Sequence, residues 1–223
     1  MGTLFIVGTP IGNLEDITFR AIKILNQVDL IAAEDTRHTK RLLERYQIKK
    51  PLTSYHKFNL RSKTPYLISQ LKQGLSLALV TDSGMPGISD PGYELVKEAV
   101  LNKIKVEPVP GASALLTVLS VSGLPSERFI FEGFLPRKKG RQKLLAKLKN
   151  EERTIILYES PYRLVKTLKE LKNILGERRV VVGREMTKLF EEFIRGTISE
   201  VIAHFEKKGP KGEITVVIQG LTS

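Results

Sequence analysis

Residues Leu75–Gly92 read LSLALVTDSGMPGISDPG. The first six form a short apolar run, the pattern of a strand buried on both faces. The next twelve contain three glycines and two prolines, which ends the strand and predicts a long loop. Asp90 is placed to cap a following helix, with Pro91 at its first position. The same order recurs on either side. Thr3–Val7 (TLFIV) runs into Gly8–Gly12 (GTPIG), and Asp16–Asn26 then carries Ile17, Ala21, Ile24 and Leu25 at helical spacing. Asp29–Ala33 predicts a strand, Thr36–Tyr46 a helix, and Leu60–Gln73 another helix closed by Gly74. Ile104–Val109 is a further strand, and Pro110–Ser113 opens an apolar helix reaching about Val121. Strands alternating with helices predict an α/β unit with a largely parallel sheet.

A second unit begins near Ser122–Pro125, which divides the chain into residues 1–119 and 120–223. Arg128–Phe134 and Arg153–Tyr158 read as strands around a basic helix at Lys139–Leu148. Ser160-Pro161 predicts a helix start, with Ser as cap, for a helix ending at Leu175-Gly176. Arg179–Gly183, Glu192–Gly196 and Glu213–Gln219 complete a strand-rich half.

The 223 residues carry 36 Lys and Arg against 24 Asp and Glu, a net charge of +12. A balance this basic points to a polyanionic partner, nucleic acid before an acidic membrane surface, with a lysine-coated soluble protein as the plain alternative. The charge is uneven. Residues 1–119 hold 15 basic and 11 acidic side chains, and residues 120–223 hold 21 and 13. Seven basic residues fall within Pro136–Asn150 (PRKKGRQKLLAKLKN), which favours a local binding surface. No cysteine is present, which excludes disulfides, thiolate metal sites and a cysteine nucleophile. The three histidines are scattered at 38, 56 and 204, so no metal is expected. The apolar stretch Ala114–Leu124 is short of the roughly 20 residues that span a bilayer. With no basic leader before the first strand, a cytoplasmic protein is expected.

Loops at the carboxyl ends of parallel strands line the ligand crevice of open α/β sheets. Gly8–Gly12, Asp82–Pro91 and Pro110–Ser113 all occupy such positions. The first is neither G-x-G-x-x-G nor a Walker A loop, whose lysine it lacks, which argues against nucleoside triphosphate hydrolysis. Glu34-Asp35-Thr36-Arg37 lies where the second strand meets its helix. Asp35 and Arg37 either face the crevice or serve as a helix cap and a surface charge. Arg137, Lys138, Lys139 and Arg141 can neutralise phosphates and Phe134 can stack on a base, or the strip is the wet face of an amphipathic helix. His56, in Ser54-Tyr55-His56-Lys57, reads as a loop histidine or a substrate contact.

Taken together, these blocks are similar to the tetrapyrrole-methylase superfamily, the class III S-adenosylmethionine-dependent methyltransferases. The resemblance is carried by VGTPIGNL (Val7–Leu14), AEDTR (Ala33–Arg37), VTDSGMPGISDPGY (Val80–Tyr93), VPGASALL (Val109–Leu116), GFLPRKK (Gly133–Lys139), YESPYR (Tyr158–Arg163), REMTK (Arg184–Lys188) and KGEITV (Lys211–Val216). Within the superfamily they resemble the branch that methylates cytidine ribose 2′-hydroxyls in small-subunit (16S) ribosomal RNA. The resemblance implies two α/β domains with the ligand cleft between them, a homodimer, S-adenosyl-L-methionine as donor, no metal, and 16S ribosomal RNA or the small ribosomal subunit as partner. By position, Pro10, Asp82, Gly84, Met85, Ser113 and Ala114 would line the donor pocket. The superfamily's usual Gly-Asp-Pro loop is replaced by Thr81-Asp82-Ser83-Gly84, which points away from a tetrapyrrole acceptor. Asp35 and Arg37 are the first candidates for positioning or activating the acceptor, and Glu185 is a weaker one; the general base is left unassigned. Methylation of a tetrapyrrole or protein side chain, and non-catalytic RNA binding in ribosome assembly, are the competing readings.

Overall fold

Five parallel strands form the first sheet in the computed structural model, which describes residues 1–221. They are β1 (Thr3–Val7), β2 (Leu30–Ala33), β3 (Leu52–Ser54), β4 (Leu77–Val80) and β5 (Lys105–Val109), in the order β3-β2-β4-β1-β5. Helices α1 (Phe19–Gln27) and α2 (Thr36–Arg45) cover one face. There Ala21, Leu25, Leu42 and Leu43 meet Val7, Ile31, Ala78 and Val80. Helices α3 (Leu60–Lys72) and α4 (Tyr93–Leu101) cover the other, where Leu67, Leu71 and Leu95 meet Leu4, Ile6, Leu77 and Leu79. Successive strand residues thus feed opposite cores, as a sheet buried on both sides requires. The neighbours β1 and β4 send their chains to opposite faces, so their carboxyl ends open a crevice.

Residues 114–223 form a second compact unit, described to residue 221. Its sheet is mixed, β6-β7-β10-β8-β9, built from β6 (Phe129–Phe134), β7 (Thr154–Glu159), β8 (Arg179–Arg184), β9 (Glu192–Thr197) and β10 (Ile214–Ile218). Only β6 and β7 run parallel. One face carries α6 (Arg141–Leu148), α7 (Leu164–Leu175) and α8 (Ile198–Lys208) over a core of Leu145, Leu168, Leu171, Val201 and Phe205. Helix α5 (Ala114–Ser122) packs on β7, β8 and β10. A side chain on Gly183 of β8 would put its Cβ 2.8 Å from Val118. These contacts group α5 with the second unit, so the division falls between Ser113 and Ala114 rather than at residue 119.

Several local expectations are corrected. Helix α1 starts at Phe19, where the Thr18 hydroxyl accepts from the Ala21 N–H at 3.1 Å, and Leu14–Asp16 forms a separate 3₁₀ turn. Asp90 does not cap α4, which begins after Gly92; its carboxylate folds back onto the Gly87 N–H at 2.5 Å. Ser160-Pro161 forms a turn ahead of α7, which starts only at Leu164, with the Ser160 carbonyl accepting from the Arg163 and Leu164 amides. Strand β3 and helix α8 are additions to the predicted elements.

Candidate functional site

The carboxyl edge of the first sheet gathers the loops that the sequence singled out. The Gly8 N–H donates to the Val109 carbonyl at 3.0 Å, tying the β1 loop to the end of β5. Thr9 and Gly84 exchange backbone hydrogen bonds at 2.9 and 3.2 Å, tying it to the β4 loop. The buried Thr9 hydroxyl adds bonds to the Thr81 and Gly84 carbonyls. Three backbones can meet this closely only without side chains between them. A Cβ on Gly8 would lie 2.8 Å from Gly111 Cα and N and 2.7 Å from Met85 Sδ. Gly84 holds φ +87°, a left-handed conformation that glycine adopts without strain.

The β2 exit joins the same edge. The Thr81 hydroxyl donates to Glu34 at 2.6 Å, and the Asp35 N–H donates to Asp82 Oδ1 at 3.1 Å. Burial, reinforced by the nearby Glu34 charge, raises the Asp82 pKa. Burial likewise lifts Asp90 to about 6. Asp35 behaves oppositely. It accepts from the Arg37 backbone at 2.8 Å as the cap of α2, and its two oxygens take Arg37 Nε and Nη2 at 3.1 and 2.7 Å. The Arg37 side chain thereby holds the Asp35 carboxyl well below the usual carboxylate range. A carboxylate held so low is a weak base, so Asp35 suits aiming Arg37 rather than accepting a proton. The Arg37 side chain is 89% exposed. Asp35 is thus the cap of α2, and its backbone N–H, not its carboxylate, reaches Asp82.

Of the other positions marked for the donor, Pro10 is buried just after Thr9. Ser113 follows Ala112, whose carbonyl lies near Gly84. Ala114 opens α5 and falls in the second unit. An open cavity of about 840 Å³ between α3 and α4, lined by Arg61, Lys72, Glu94 and Glu98, involves none of the strand-end loops. Among the described residues, no cluster of three or more His, Asp or Glu is arranged to hold a metal ion, and no helix is long and apolar enough to cross a membrane.

In the second unit, the parallel pair β6–β7 places Gly133–Lys139 beside Tyr158–Arg163. Arg137, Lys138 and Lys139 are exposed, and the exposed Phe134 ring lies 5.6 Å from that of Tyr158. Arg141 is a correction: it is only 7% exposed. Its guanidinium donates to Glu170, to Thr167 Oγ1 and to the Pro136 carbonyl. Its position four before Leu145 and seven before Leu148 put it on the buried helix face, a signal present in the sequence. The YESPYR block has the same purpose. Glu159 accepts from the Ser160 N–H, Arg163 and Thr167, while Arg163 also donates to the Leu135 carbonyl. Arg141 and Arg163 thus clamp the chain just before the three exposed cations. Glu185 is bound by the Glu213 N–H and by Lys188, which marks it as a brace between the REMTK and KGEITV blocks.

The profile of the Tetrapyrrole (Corrin/Porphyrin) Methylases matches residues 3–202. A Thermotoga maritima protein named Ribosomal RNA small subunit methyltransferase I is 57% identical over 220 residues, covering 99% of both chains. A Bacillus subtilis protein of the same name is 52% identical, covering 99% of this chain and 76% of its own length. Among solved structures, diphthine synthase superposes with TM-score 0.75 at 17% identity, covering 98% of this chain and 90% of that one, a likeness of fold.

Proposed function

Because the chain belongs to the tetrapyrrole methylase family, and within it to the group of ribosomal RNA small subunit methyltransferase I proteins, we propose that it transfers a methyl group from S-adenosyl-L-methionine to a cytidine ribose 2′-hydroxyl in 16S ribosomal RNA. The observation that carries this reading is the identity of 57% across 99% of both chains with a relative of that name. The glycine-lined edge fits such a donor. Gly8, Gly84 and Gly111 leave main chain uncovered by side chains, and Asp82 offers a carboxylate at a partly buried position suited to a polar or cationic ligand group. Pro10, Met85, Ser113 and Ala114 complete the donor set.

The reaction is an in-line displacement: the ribose oxygen bonds to the methyl carbon as the carbon–sulfur bond breaks, S-adenosylhomocysteine departs, and the hydroxyl proton passes to solvent water. The residues of the chain chiefly hold the acceptor oxygen in line with the methyl carbon, roughly 3–3.5 Å away. Arg37, aimed by Asp35, is suited to grip an RNA phosphate or steer the ribose. The exposed Arg137, Lys138 and Lys139 supply further phosphate contacts. The same reading makes the small ribosomal subunit or its RNA the partner, a homodimer the acting form, and the cytoplasm the compartment. A tetrapyrrole or protein acceptor, the competing reading, would leave the basic loop without a use.

Reversing Arg137, Lys138 and Lys139 to Glu together tests the RNA contact. RNA affinity is expected to fall, with the salt dependence reduced by about 2 in log–log slope. Donor affinity by calorimetry is expected to stay unchanged. Equal RNA affinity and slope in the variant would reduce the strip to a solubility surface.

A further inference from the structure

The loop after β3 belongs to none of the roles assigned above, yet it leaves the same carboxyl edge. Its strand pairs with β2 through Ala33 and Ser54, and the Tyr55 N–H donates to the Ala33 carbonyl at 2.7 Å. The edge therefore runs in order. The donor loops follow β5, β1 and β4, Asp35 and Arg37 follow β2, and Ser54-Tyr55-His56-Lys57-Phe58-Asn59 follows β3.

This loop is rigidly built. Tyr55 is fully buried and its hydroxyl bonds Thr64 at 2.9 Å. Asn59 closes the loop from the other side. Its Oδ1 accepts from the His56 N–H at 2.9 Å, its Nδ2 donates to the Ser54 carbonyl and hydroxyl at 3.1 Å, and its own N–H donates to the His56 carbonyl at 2.9 Å. On this frame Phe58 is 85% exposed. The Lys57 ammonium lies 4.9 Å from its ring centroid and the His56 ring stands edge-on at 6.1 Å. Residues 54–64 include Lys57, Arg61 and Lys63 and no acidic residue. An exposed aromatic face among cations suits a base and its phosphates, since every base has a stackable face and the backbone is anionic.

We propose that Phe58 is a stacking platform for an unpaired base of the RNA next to the methylated nucleotide, with Lys57 and Arg61 contacting the flanking phosphates. This rests on the reading of the chain as an RNA methyltransferase. Phe58 is a positioning residue: it holds the strand so that the ribose one strand over lies by Arg37.

The test uses the full chain and fluorescein-labelled single-stranded oligoribonucleotides tiling 16S ribosomal RNA, with Phe58→Ala, Phe58→Leu and Phe58→Trp. Both Ala and Leu are expected to weaken binding of the oligomer preferred by the wild type about tenfold, while Trp preserves it. KM for RNA rises by the same factor, with kcat, donor affinity and melting temperature unchanged. A 2-aminopurine at the stacked position is quenched by the wild type and by Trp but not by Ala or Leu. Equal binding by all four proteins overturns the platform. So does retention by Leu with loss by Ala, which marks a plain apolar contact with the RNA in place of ring stacking. A fall in melting temperature accompanied by loss of donor affinity shows Phe58 to be structural and overturns it too. If the wild type binds no oligomer and methylates no ribosomal RNA, the RNA reading itself fails and takes the platform with it. An unchanged KM for RNA in every variant, with ribosomal RNA still methylated, removes the platform alone.

Discussion

Gly8→Ala is expected to lower donor affinity about tenfold or more and kcat/KM roughly 10²-fold, because a displacement near 1 Å in a positioning loop has that effect. The added carbon would sit 2.8 Å from the Gly111 backbone, where no side-chain rotation relieves the contact. The β1 and β5 loops must part, and the bond from the Gly8 N–H to Val109 is strained with them. The second crowded atom, Met85 Sδ, belongs to a flexible side chain. Gly8→Ala/Met85→Ala is therefore expected to remain as impaired as Gly8→Ala. Calorimetry with S-adenosyl-L-methionine reads both. Rescue by the double variant would show that the side chain, and not the meeting of the two backbones, limits the site.

Glu159→Ala is expected to destabilise the second unit by about 3–5 kcal/mol, the range for stripping one partner from a buried ion pair. The Glu159 side chain is 0% exposed and faces Arg163 at 2.5 Å. Its removal leaves the Arg163 guanidinium, the Thr167 hydroxyl and the Ser160 N–H without their shared acceptor. Arg163 then loses its fixed direction toward the Leu135 carbonyl, so RNA affinity falls as the Arg137–Lys139 loop loosens. Glu159→Gln, which keeps the shape and one acceptor oxygen, is expected to be less damaging. Lys138→Ala, at an exposed site, is expected to leave stability within about 0.5 kcal/mol. Denaturant unfolding measures all three. A Glu159→Ala protein as stable as the wild type would show that the cluster does not hold this loop.

The legible parts of the fold were those with a local physical signature. β1, β4 and β5 announce themselves as short apolar runs broken by glycine and proline, and their loops could be read as one ligand edge. β3 has three residues at a sheet edge, too few to show a period. The capping pair Thr197 and Glu200 that starts α8 is a signal present in the sequence, set between two strand-like runs. Asp90 and Ser160 carry good capping chemistry, yet both sit in local turns ahead of their helices: the Gly87 N–H donates to the Asp90 carboxylate, and the Ser160 carbonyl accepts from the Arg163 and Leu164 amides. Within the site, sequence located Asp35 and Asp82 but not their meeting, since the bond between them spans 47 positions. The same limit hid the inward role of Arg141, whose partner Glu170 lies 29 positions away.

The central claim is tested most directly by nucleoside mass spectrometry of 16S ribosomal RNA from a strain lacking this gene, taken before and after incubation of its small subunits with the purified protein and S-adenosyl-L-methionine. The account predicts that one 2′-O-methylcytidine is absent beforehand and restored by the protein. An unchanged nucleoside profile, or a methyl group delivered to a base instead of a ribose, would contradict it.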